Sequence, residues 1–192
     1  MDAKRDRQDT AELPVTYEQH LTVDLKNKKL TLTVQGLFAL VALVGVGVAL
    51  LLGGWLRTDW PAIVTILVTL AACLVYMTVH EATHGAVLQL LTGIRPTYRM
   101  RFPFLTTGNH GYLTRRSAII VALTPAVIWG VVLLVALFTL PDGCRLTAYI
   151  VLALNFAGSA GDFVEVYLVS RQPSEALVQD DGNSLHVFLP EE

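Results

Sequence analysis

The sequence predicts an all-α membrane protein with about four transmembrane helices and short extended or hairpin segments on the cytoplasmic side. Three observations lead there. Of the 192 residues, 53% are hydrophobic and 16% are charged, too apolar a balance for an ordinary soluble domain. Four apolar runs are each long enough to cross a hydrocarbon layer about 30 Å thick. The basic residues gather in alternate connections between those runs. The net charge of −2 carries no signal for nucleic acid, and none is expected as a partner. Cys73 and Cys144 fit neither a metal spacing nor a disulfide framework.

The first 35 residues are polar, with no signal-peptide pattern, and form a cytoplasmic N-terminal segment whose first ten are charged and disordered. Alternation at Leu21, Val23 and Leu25, and again at Leu30, Leu32 and Val34, fits a short hairpin or an amphipathic lead-in to the first helix. Residues 36–170 form the transmembrane domain. Leu37 to Leu56 is the first span, and Trp60-Pro61 starts the second, which runs from Ala62 to about Leu91 and ends at Gly93. Tyr98 to Phe104 alternates as a strand, and Gly108-Asn109-His110-Gly111 reads as a turn. The third span is Ala118 to Leu140, kinked at Pro125. The fourth is Leu146 to about Val169. Residues 171–192 are a polar cytoplasmic tail, with a turn at Asp180-Asp181-Gly182-Asn183 between two extended pieces. Lys and Arg cluster in the N-terminal segment and in the loop between spans two and three. The positive-inside rule therefore makes the chain multi-pass with both termini cytoplasmic, within the lipid bilayer of the cell membrane.

Inside the second apolar run stands His80-Glu81-Ala82-Thr83-His84. Residues four apart share a helix face, so the two imidazoles point the same way. Two such rings can grip one tetrahedral zinc, and Glu81 can reach a water held by the metal. The competing reading is a polar cluster that hydrogen-bonds neighbouring helices. Ionisable groups at membrane depth are costly, which favours the functional reading.

A catalytic zinc site needs a third protein ligand. The fourth span offers Asp162 and Glu165. At about 1.5 Å of rise per residue, counting from Pro61 and Arg145, His80, His84 and Asp162 lie about 28, 34 and 26 Å down. Asp162 thus meets the histidines near the cytoplasmic leaflet, and Glu165 is the alternative ligand or a supporting group. Gly158-Ser159-Ala160-Gly161 lets the fourth helix approach the second closely. Asn155, two turns above Asp162, either hydrogen-bonds a substrate backbone or bridges helices. His20, His110 and His186 lie in loops or tails and are read as solvated.

With these residues the chain resembles the site-2-protease-like intramembrane metalloproteases, and more closely the small four-helix membrane family known as putative zincin peptidases. The likeness runs from about Leu13 to Pro190. The resemblance implies Zn2+ held by His80, His84 and Asp162, with Glu81 as catalytic glutamate. It also implies an edge strand, after the second helix, that holds an unwound substrate. The chain departs from the better-known members in having no proline after Asn155 and Phe163 after Asp162. The expected function is a zinc metalloprotease that hydrolyses peptide bonds of membrane-protein or peptide substrates near the cytoplasmic leaflet. The alternative is a non-catalytic membrane protein with a structural metal or polar cluster, or a metal-handling one. Oligomeric state and substrate are not legible in the sequence.

Overall fold

The structure is a computed structural model that describes residues 9–25, 27–101, 104–181 and 184–191. It is mostly helical, with two small antiparallel sheets. Helix α1 (Lys28–Leu52) continues into a 3-10 turn, Gly53–Leu56. Helix α2 spans Ala62–Thr92 and α3 spans Arg115–Thr139. The fourth rod is two helices, α4 (Arg145–Gly158) and α5 (Ala160–Ser170). These four rods are long and apolar enough to cross a membrane by length and composition.

The helix starts follow from local chemistry. Asn27 caps α1, its side chain accepting from Lys29 N–H at 3.0 Å. Thr114 caps α3 by accepting from Ser117 N–H. Asp9 reinforces that end, taking Thr114 N–H and Ser117 Oγ–H at 2.7 Å each. Helix α2 stops where Gly93 adopts a φ of 73°, a conformation that suits glycine and lets its N–H close back on Gln89.

One sheet has the order β1-β6-β5-β4, built from Tyr17–Asp24, Ser184–Pro190, Leu177–Asp180 and Leu113–Thr114. The other is a hairpin of β2 (Thr97–Arg101) and β3 (Phe104–Gly108). A core of Leu88, Leu113, Ala118, Val169, Val178 and Leu185 joins the four-stranded sheet to the helix ends. At the opposite end Leu56, Leu137, Ala148, Tyr149 and Leu152 pack together. Large apolar side chains such as Leu43, Leu51, Ile63, Leu67, Val131 and Phe138 face outward. Such a continuous apolar exterior is foreign to soluble monomers.

Three expectations change in detail. Residues 20–34 are neither a hairpin nor one lead-in: β1 ends at Asp24, and Leu30, Leu32 and Val34 already belong to α1. The partner of β1 is β6, from the other end of the chain, in a register that sets Val23 opposite Leu185. The strand expected over Tyr98 to Phe104 is two strands, because the chain reverses between Arg101 and Phe104, which face each other in the ladder. Phe102 itself, the first eight residues and Gly182-Asn183 of the expected tail turn lie outside the described residues. The fourth span is interrupted at Ser159, whose hydroxyl and N–H both donate to the Asn155 carbonyl, at 2.8 and 3.3 Å.

Candidate metal centre

Tyr76, His80 and His84 recur every fourth residue of α2 and form one buried stripe. Helices α3 and α4 pack against α2. Helix α3 is also pinned to the motif by Trp129, whose indole N–H donates to Thr83 Oγ1 at 3.0 Å. The break at Ser159 puts Asp162 in the first turn of α5.

These elements bring His80, His84 and Asp162 together. His80 Nε2 lies 3.4 Å from Asp162 Oδ2, and His84 Nε2 lies 3.4 Å from Asp162 Oδ1. One ligand atom from each of the three residues falls within 4.8 Å of the others, and the group could hold a metal ion.

The hydrogen bonds behind the rings decide whether a cation fits. A backbone carbonyl can only accept. Asn155 Nδ2–H donates to the Ala126 carbonyl at 3.0 Å, so Asn155 Oδ1 faces Tyr76 and takes its hydroxyl proton. The Tyr76 oxygen therefore accepts from His80 Nδ1–H, at 2.9 Å. On the second ring, His84 Nδ1–H donates to the Val121 carbonyl at 3.0 Å. With Nδ1–H so engaged, each ring in its neutral form would turn a bare Nε2 towards Asp162. Two such nitrogens and a carboxylate aimed at one point suit a cation between them. Zinc with ligand distances of about 2.0–2.2 Å sets donor atoms about 3.3–3.6 Å apart around a tetrahedron; each imidazole lies 3.4 Å from one oxygen of Asp162, and the three ligand atoms together fall within 4.8 Å of one another. The residues fit the ion.

Glu81 leaves the stripe by one position and enters a cavity of about 210 Å³ whose wall also includes His84, Asp162 and Thr107. The backbone N–H of Thr107 donates to Glu81 Oε2 at 3.0 Å, and the Thr107 hydroxyl donates to the Glu81 carbonyl at 2.8 Å. Strand β3, and not the segment from Tyr98 to Phe104 as a whole, therefore borders the glutamate. Gly85 leaves the space against α2 that the Tyr98 phenol fills.

Glu165 lines the same cavity but is outside the group of three. Asn155 is fully buried, with both ends of its amide engaged inside the bundle. His186 contacts Thr22 and Asp181 on the sheet, and His20 and His110 are exposed. Sequence reasoning missed Tyr76, Val121 and Thr107. Tyr76 left a readable signal, since it stands four residues before His80 on the same face.

Replacing Tyr76 by Phe removes the hydroxyl between His80 and Asn155. Zinc affinity, read by chelator competition, is expected to fall about 10–100-fold, as when outer-shell partners of metal ligands are lost. Unfolding is expected to become easier by about 1–3 kcal/mol, since a buried Nδ1–H and amide oxygen lose their partner.

The structure is thus a bundle of long apolar helices around a His-His-Asp group that could hold a metal ion. The chain belongs to the family described as "Putative zincin peptidase", whose model matches residues 73–177, more than half of its length. His80, Glu81, His84 and Asp162 all fall inside that span. No curated protein and no solved structure matches the chain.

Proposed function

We propose that this chain is a zinc-dependent endopeptidase of the site-2-protease kind, cutting peptide bonds of membrane-embedded substrates near the cytoplasmic leaflet. The observation that carries the reading is the convergence of His80 Nε2, His84 Nε2 and the Asp162 carboxylate beside a cavity that Glu81 enters. Among the described residues the group offers three ligands. That favours a catalytic site, which keeps a position open, over a structural one, which fills all four.

Bound there, zinc would supply Lewis acidity towards the scissile carbonyl and bring the pKa of a water down to near neutrality. The chain's own groups do the rest. Glu81 takes a proton from the attacking water and returns it to the leaving amine. Tyr76 and Val121 hold the two rings in the tautomer that ligates. The cavity, whose wall carries Glu81, Asp162, Glu165 and Asp180, gives the attacking water a polar place beside the metal site.

The helical rods cross the bilayer, and the outward apolar side chains face lipid. In this reading both termini and the sheets face the cytoplasm, which the placement of the arginines and lysines supports. A substrate helix must unwind before its carbonyl is accessible. The outer edge of β3, whose Thr107 N–H points at Glu81, offers an extended segment a strand to pair with. A substrate that pairs there takes over that N–H and frees the glutamate beside the bond to be cut.

Comparing membrane proteomes of cells that carry the wild-type chain and Glu81→Gln tests the reading. Single-span proteins clipped close to their cytoplasmic end should appear only with the wild type. Identical fragment sets in the two strains would remove the assignment.

A further inference from the structure

We propose that Pro125 is a positioning residue for His84. The proposal rests on the reading of His84 as a metal ligand and adds how the fold aims it. In an α-helix each N–H bonds the carbonyl four residues back. Position 125 therefore answers to Val121, the residue whose carbonyl accepts from His84 Nδ1–H at 3.0 Å. Proline has no N–H, and its ring pushes the carbonyl four residues back out of the ladder. Pro125 lies well inside α3 and is fully buried. Proline is tolerated in a membrane-spanning helix where a neighbouring group re-satisfies the backbone it frees, and the His84 ring is such a neighbour.

A buried imidazole that must ligate through Nε2 needs an acceptor for Nδ1–H; a helix carbonyl can take a second donor beside its ladder partner, and one without a ladder partner is free to give its full acceptor strength to the ring. Removing one ladder donor leaves a fixed backbone acceptor with no side chain spent on it. His80 is served from the same helix, since its chain through Tyr76 and Asn155 ends on the Ala126 carbonyl. Gly130 allows that approach, for a Cβ there would sit 3.3 Å from Asn155 Nδ2. Helix α3 thus anchors the outer nitrogen of both rings without contributing a ligand.

Pro125→Ala and Pro125→Val both restore the N–H, and valine keeps roughly the volume of the ring. The full chain in detergent is titrated with zinc against a chelator, the Co(II) form is followed by its visible spectrum, and the metal-free chain is melted. Both variants are expected to bind zinc about 10–100-fold more weakly and to show an altered Co(II) spectrum, with the metal-free chain still unfolding cooperatively. Wild-type zinc affinity in both variants would overturn the role of Pro125 and leave the metal site standing. A wild-type chain that binds no zinc would overturn both. Loss of cooperative unfolding in both variants would also count against the proposal, because it would make Pro125 a folding residue.

Discussion

Glu81→Gln is expected to lower peptide-bond hydrolysis by about 10²–10⁴-fold, the range that one positioned general base contributes, while zinc content stays at the wild-type level. The two halves of this result have separate causes. Glutamine keeps the length and shape of the side chain, and its amide oxygen can still accept from Thr107 N–H, so β3 keeps its seat on α2. Glutamine has no basic oxygen near neutral pH and cannot take a proton from water. The ligand group does not include position 81, so the metal is not disturbed. Turnover by purified protein on a single-span peptide, with elemental analysis of the same sample, measures both halves. Undiminished turnover would mean that another group is the base.

Asp162→Ala is expected to have the largest effect on the metal. Loss of an outer-shell partner weakens binding about 10–100-fold, and loss of a ligand must exceed that, because two neutral imidazoles then face the ion without an anion. Glu165→Gln is the matched control. Glu165 stands in the same cavity three positions along α5 but outside the group of three, so zinc affinity should stay near wild type. The pair of variants separates the two carboxylates that the sequence left as alternatives. Zinc competition on both decides it: a loss at 165 with none at 162 would reverse the assignment of ligands.

Much of this arrangement was readable in advance where the signal was local. A run of apolar residues is a property of one stretch of chain, so the four long helices and most of their ends follow from composition. The spacing of His80 and His84 fixes a shared face whatever surrounds it. Asp162 needed two stretches, yet counting rise from the two outer loops placed it near the histidines. What escaped depends on partners distant in sequence. Nothing in Leu21, Val23 and Leu25 names Ser184–Pro190 as the neighbouring strand, so the nearer Leu30, Leu32 and Val34 looked like the other half of a hairpin. The break at Ser159 escaped because Gly158-Ser159-Ala160-Gly161 also fits a continuous packing seam. The Val121 carbonyl could not be seen at all as an acceptor, since backbone groups carry no letter in a sequence. The proline four residues on was its one trace.

The ladder between β1 and β6 has a consequence for parity. One strand comes immediately before α1 and the other closely follows α5, and the two are bonded side by side from Tyr17 with Pro190 to Asp24 with Ser184. Neighbouring strands cannot lie on opposite sides of any slab that the rods traverse. The number of traversals between them must therefore be even, whichever way the slab is oriented and whatever the loop charges are.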